Sequence, residues 1–283
     1  MKIGLVLSGG LAKGAYQIGA LRAISEYFRP EEIEYISSSS VGALNAYAFS
    51  SGNLSLGEKM WLGILPEGER KPVTKIMKSD YLRECTLELA KRQVASAKHY
   101  VSLFRLKEMD VLYLDLKSRE EEETAMFLQA SVSMPVFSRG IRINGKKYYD
   151  GGTVDNIPVY PLLSHNPDYI IAVYFDEYFS FEKTEINGKI IKIPFGKDDK
   201  VKHNSVWFTK AGTKHMIAEG YTRAKAVLER VFESGTANTE KIYEKISELD
   251  GEHPERRLRV TVDAAISALN KVARLISKRR IVD

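Results

Sequence analysis

Three stretches of this chain carry residue types that can do chemistry at a carbonyl group. The first is Ser38-Ser39-Ser40-Val41-Gly42, between a predicted strand at 33–39 and a predicted helix at 41–49. A serine projected from a sharp strand-to-helix turn is accessible and lies beside a helix N-terminus, where backbone amides favour negative charge. Of the three serines, only Ser40 has a small residue two before it and a glycine two after it, which lets strand and helix approach closely. The same junction also reads as a plain helix N-cap. The second stretch, Ser8-Gly9-Gly10-Leu11-Ala12-Lys13-Gly14-Ala15, is a turn whose amides can converge on an oxygen anion, as an oxyanion hole or a phosphate cradle. Residue order excludes a phosphate-binding P-loop, since Lys13 precedes Gly14 and Ala15 follows it, and the dinucleotide fingerprint Gly-x-Gly-x-x-Gly is not matched. The third is Asp150-Gly151-Gly152, followed by Asn156 and Pro158, where two glycines permit close approach of a neighbouring group. An Asp before two glycines is also a common turn former, and Asp155 and Asp176 compete with Asp150 as the carboxylate.

The elements that must position these groups follow from periodicity. KIGLVL at 2–7 followed by apolar spacing of three and four from Ala15 to Tyr27 predicts strand, tight turn, helix. The segments 33–39 and 41–49 repeat that unit, which predicts parallel strands in an α/β sheet. Further buried strands are expected at 111–117 and 168–176, and Asn144-Gly145 is placed for a tight hairpin turn. Residues 53–110, with amphipathic stretches such as 82–98, read as a helical insertion outside the core sheet. Ala130 to Phe137 is a helix end stopped by Pro135. After residue 204 the chain reads as helical almost throughout, with the sheet complete before it. The expected organisation is a core over 1–204 and a C-terminal helical extension over 205–283 packed on the same domain.

Taken together and in this order, the glycine turn, the serine elbow, the Ala130–Phe137 stretch and Asp150-Gly151-Gly152 resemble the patatin-like phospholipase family, lipid acyl hydrolases with a Ser-Asp dyad. The resemblance covers roughly residues 2–175. It implies a three-layer α/β/α sandwich with a mainly parallel central sheet, extended here by C-terminal helices. It further implies Ser40 as nucleophile, Asp150 as proton acceptor, and an oxyanion loop of Gly9, Gly10, Lys13 and Gly14. In that reading Ser38 and Gly42 flank the nucleophile elbow, and Gly151 and Gly152 support the aspartate. Lys13 stands where the family commonly has arginine, and Ser38 replaces the first glycine of the family's Gly-x-Ser-x-Gly. If that position needs positive φ, a serine there is strained by about 1–3 kcal/mol.

Composition is consistent with this picture. The 283 residues are 44% apolar, 28% charged and 10% aromatic, as in an ordinary folded domain. The single cysteine, Cys85, can form no internal disulfide, so a reducing, cytoplasmic location is expected. No run reaches the roughly 18 consecutive apolar residues of a spanning helix, which predicts a soluble protein. The five histidines are scattered, so neither a metal nor any cofactor is expected. His203, His215 and His253 follow Asp150 in the order of a Ser-Asp-His triad but carry no local motif. Trp61 and Trp207 read as packing residues. Eight basic residues against one acid between 256 and 280 predict a basic C-terminal helix, either a solvated face or a transient membrane-surface contact. The absence of aromatic residues in that stretch argues against nucleic acid as a partner. The reading is a serine esterase that cleaves carboxylic ester bonds of phospholipids or related lipids through an acyl-enzyme. Its rivals are a lipid-binding or scaffolding protein that lost turnover through Ser38, and an acyltransferase using the same acyl-enzyme.

Overall fold

The computed structural model describes residues 1–77, 79–135, 137–175, 181, 186–195, 207–252 and 278–283. In chain order, the first half runs β1 (Ile3–Leu7), α1 (Gly14–Ile24), β2 (Tyr35–Ser38), α2 (Val41–Ser50), α3 (Leu54–Gly63), β3 (Arg70–Pro72), α4 (Val73–Met77), α5 (Asp80–Ala90), β4 (Lys98–Arg105) and β5 (Asp110–Asp115). The second half continues with α6 (Glu121–Ser131), β6 (Ile141–Ile143), β7 (Lys146–Asp150), α7 (Tyr160–Leu163), β8 (Tyr169–Tyr174), β9 (Ile190–Pro194), β10 (Trp207–Thr209), α8 (Lys210–Val231), α9 (Thr239–Glu252) and β11 (Lys278–Val282).

Strand β1 is buried at all five positions because it lies inside a sheet covered on both faces. The sheet order is β11-β5-β4-β2-β1-β8-β9. Strands β9, β8, β1, β2 and β4 run parallel, whereas β5 is antiparallel to β4 and β11 is parallel to β5. The β6–β7 hairpin turns at Asn144 and Gly145, both with positive φ, as the Asn-Gly pair predicts. It joins the sheet through β7, which pairs Asp150 with Leu103 of β4. This pairing is decisive for the site. Strand β2 uses one edge of β4 as far as Ser38 opposite Val101, and β7 takes up that edge two residues later. The segment leaving β2 and the end of β7 therefore meet head to head.

On one face of the sheet, β1 packs against α1, α8 and α9, and β4 and β5 pack against α2, α5 and α6. Helix α2 is buried at nine of its ten positions, which accounts for its mostly apolar sequence without charged residues. The other face is covered, among the described residues, by Val154, Ile157, Val159 and the short α7. The architecture is the expected α/β/α arrangement around a mainly parallel sheet.

Two expectations about the chain's organisation are corrected. The span 53–110 is not a helical insertion throughout: it holds α3, α4 and α5 but also β3 and the interior strand β4. The polar residues His99, Ser102 and Arg105 of β4 hid its strand character, because they are buried in the sheet and break the apolar pattern. The N–H of His99 donates to Asp115 Oδ1 at 2.9 Å, and Arg105 is paired with Asp110. Likewise, the sheet is not complete before residue 205. Strand β10 pairs with β3, and β11 lines up along β5, so Lys278, Arg279 and Arg280 belong to a strand rather than a basic helix. The remainder of that expected helix, 256–277, lies outside the described residues.

Candidate active site

The end of β2 carries Ser40 into a turn with φ 52° and ψ −134°, a left-handed conformation that costs a non-glycine residue on the order of 1–3 kcal/mol. The turn is held from three sides. The Ser39 N–H donates to Leu7 O at 3.1 Å, Gly42 N–H donates to Ser39 O at 2.9 Å, and Ser131 Oγ donates to Ser40 O at 3.4 Å. Helix α2 can start so close to β1 only because position 42 lacks a side chain. A Cβ there would lie 2.6 Å from Ser8 O and 2.7 Å from Leu7 O. Ser38, by contrast, is still in the strand and is not among the residues with positive φ. Its hydroxyl is fully buried and donates to Tyr100 O at 3.2 Å, so serine fits where a glycine would leave that carbonyl without this donor.

Asp150 closes β7 and is 2% exposed. Its N–H donates to Ser133 O at 3.0 Å, and its Oδ1 accepts the Gly152 N–H at 2.8 Å. The Ser40 side chain lies beside the same carboxylate. Burial pushes the Asp150 carboxyl up to about 7, against the downward pull of Ser40 and of the Gly152 hydrogen bond. Gly151 and Gly152 let this turn press onto β4 and the serine turn, since a Cβ on Gly151 would lie 2.6 Å from Ser102 O and one on Gly152 would lie 2.7 Å from Ser39 Oγ. The Ala130–Phe137 stretch ties both halves together, through Ser131 to the Ser40 carbonyl and through Ser133 to the Asp150 amide.

The glycine turn lies over the serine: a Cβ on Gly9 would sit 2.8 Å from Ser40 Cβ. Asn156 fixes it there, accepting the Gly9 N–H at its carbonyl (3.3 Å) and donating Nδ2 to Gly9 O (3.2 Å). A single 3₁₀ turn at Leu11–Lys13 then engages the Lys13 N–H with Gly10 O and the Gly14 N–H with the Leu11 and Ala12 carbonyls. Among the described backbone hydrogen bonds, the N–H groups of Gly10, Leu11 and Val41 have no acceptor. Leu11 and Val41 did not emerge from the sequence as donors, because which amides stay free depends on where the 3₁₀ turn and α2 begin.

An apolar cavity of about 80 Å³ opens at Ser40. Its walls include Leu44 of α2, Met60 and Trp61 of α3, and Leu82 and Leu89 of α5. Trp61 thus both packs and lines the cavity, whereas Trp207 lies outside it, 39% exposed with the Arg70 guanidinium 4.4 Å from its ring centre. The other candidates are not drawn in. Asp155 accepts a hydrogen bond from Tyr113 Oη at 2.5 Å, and His215 stands on α8 with its side chain 60% exposed, paired with Glu219. Asp176, His203 and His253 lie outside the described residues. Among the described residues, no group of three or more His, Cys, Asp or Glu could hold a metal ion, and no helix is long and apolar enough to cross a membrane.

Sheet, elbow and glycine turn together define an α/β/α protein with a serine elbow beside a buried aspartate. The family model for patatin-like phospholipases matches residues 5–163, and the chain belongs to that family. No curated protein matches its sequence. Among solved structures, it is similar to VipD from Legionella pneumophila, at 12% identity and TM-score 0.47, over 81% of this chain and 67% of that one. It is also similar to the type III effector protein ExoU, at 15% identity and TM-score 0.41, over 81% of this chain and 53% of that one. ExoU in its complex with SpcU from the Pseudomonas aeruginosa type III secretion system matches at 15% identity and TM-score 0.36, over 89% of this chain and 58% of that one. The chain therefore spans between about half and two thirds of those structures.

Proposed function

We propose that this protein cleaves carboxylic ester bonds of phospholipids or related lipids, with Ser40 as nucleophile and Asp150 as its base. The observation that carries the reading is a serine held on a positive-φ strand-to-helix turn beside a buried carboxylate, at the opening of an apolar cavity. Ser40 Oγ attacks the acyl carbonyl while Asp150 takes its proton. The tetrahedral oxyanion is met by the free amides of Gly10, Leu11 and Val41, each well-placed donor contributing about 2.7–4 kcal/mol, and by the N-terminus of α2. The proton passes from Asp150 to the leaving alkoxide as the ester bond breaks, leaving the acyl group on Ser40. Asp150 then takes a proton from water, whose oxygen attacks the acyl-enzyme and restores Ser40. The cavity supplies an apolar seat for the acyl chain.

The test is hydrolysis of nitrophenyl esters and of phosphatidylcholine vesicles by the purified protein in the presence of EDTA. Ser40→Ala and Asp150→Asn are each expected to lower kcat by about a thousandfold or more. Undiminished turnover in Ser40→Ala would refute the assignment.

A further inference from the structure

Behind the glycine turn lies a connected set of buried polar side chains that the mechanism above does not use. Asn45 of α2 donates through Nδ2 to Gly14 O at 2.9 Å and to Gln17 Oε1 at 2.8 Å. Its Oδ1 accepts the indole N–H of Trp61 at 2.8 Å. Gln17 of α1 in turn donates through Nε2 to Ser8 O at 2.7 Å. Asn45 and Gln17 are 2% and 0% exposed. One pair of amides therefore fastens the carbonyls at both ends of the Ser8–Gly14 turn to the helix that begins after Ser40. The third member, Trp61, is a wall of the acyl cavity and lies against Gly14, where a Cβ would come within 2.7 Å of its ring.

Buried amides are costly unless their groups are paired, and a fully paired network fixes one geometry where apolar side chains would tolerate several. The geometry this network fixes is that of the turn carrying the Gly10 and Leu11 amides. We propose that Asn45 and Gln17 are positioning residues for the oxyanion turn, and that the Trp61 indole N–H ties that turn to the cavity wall. The inference rests on the hydrolase reading of Ser40 and Asp150. A displacement of the turn by about 1 Å is enough to cost on the order of a hundredfold in rate.

Trp61→Phe keeps an aromatic wall while removing the N–H donor and one ring of the indole, and the acetyl ester, whose short acyl group needs little of that wall, separates positioning from simple packing. Steady-state kinetics on nitrophenyl acetate and nitrophenyl dodecanoate are expected to show kcat lowered about tenfold to a hundredfold on both esters, with KM for the acetate changed less than about twofold. Trp61→Phe combined with Asn45→Ala is expected to be no worse than the more damaging single change, since both act through one network. Gln17→Met provides the same kcat-against-KM comparison should Asn45→Ala not fold. Unchanged acetate turnover in Trp61→Phe, with KM rising only for the long chain, would make Trp61 a wall and nothing more and would overturn the inference while leaving the hydrolase reading intact. An inactive wild-type protein would overturn both.

Discussion

A serine hydroxyl yields its proton at neutral pH only to a base of matching strength, and an ordinary aspartate is too weak. Burial at the end of β7 changes that for Asp150, whose carboxyl is held near 7. The kcat/KM of the protein should accordingly rise with pH through an apparent pKa near 7 and level off above it; a profile already flat at pH 5 would contradict the role given to Asp150. The same burial has a thermodynamic sign. The folded protein holds the Asp150 proton up to about 7 while the unfolded chain releases it near 3.8, so the native state binds more protons in that window and loses stability as pH rises through it. Between pH 5 and 8 that loss is about 2–3 kcal/mol, and thermal melts of Asp150→Asn are expected to lack it. Ser38 is a separate matter. Because its backbone is extended and its hydroxyl serves Tyr100 O, Ser38→Gly should leave ester hydrolysis within about twofold and cost about 1–2 kcal/mol of stability by denaturant unfolding. A large gain in activity would instead identify Ser38 as a disabling residue.

Among the elements, β4 does the most to assemble the site and was the least legible. The serine elbow and the glycine turn are local: each is written in a few consecutive residues at the end of a strand, and the sequence reads them directly. The meeting of Ser40 with Asp150 is not local, because it depends on β2 and β7 sharing one edge of a strand whose His99, Ser102 and Arg105 break the apolar pattern. The signal that could have found β4 was the pair of runs Tyr100–Phe104 and Val111–Leu114 separated by a short polar turn, a hairpin spacing. Helices α3 and α5, read only as an insertion, turn out to wall the cavity at Ser40. Filling that cavity from α5 with Leu82→Trp should suppress turnover of dodecanoyl esters at least about tenfold while sparing acetyl esters, as measured by kcat/KM. Equal losses on both would indicate that the acyl chain lies elsewhere.

At the scale of the whole molecule, the C-terminal part of the described chain is structural as well as peripheral. Strand β11 covers the edge of β5, Arg280 pairs with the buried Asp110, and Asp283 pairs with Lys98 at the start of β4. Truncation before Lys278 should therefore lower Tm by at least about 5 °C and expose a strand edge prone to association; an unchanged Tm would show that β11 contributes nothing to the fold. None of this was legible from composition, since Lys278-Arg279-Arg280 reads as a solvated basic helix until its pairing with β5 is known. Catalysis at this site turns on two groups: the hydroxyl of Ser40 and the Asp150 carboxylate that receives its proton. Treating the protein with a fluorophosphonate and locating the adduct by peptide mass spectrometry, in the wild type and in Asp150→Asn, probes this pair of groups. One adduct is expected, on Ser40, formed rapidly in the wild type and at least about a hundredfold more slowly in the variant. An adduct on another residue, or equal labelling in both proteins, would contradict these roles.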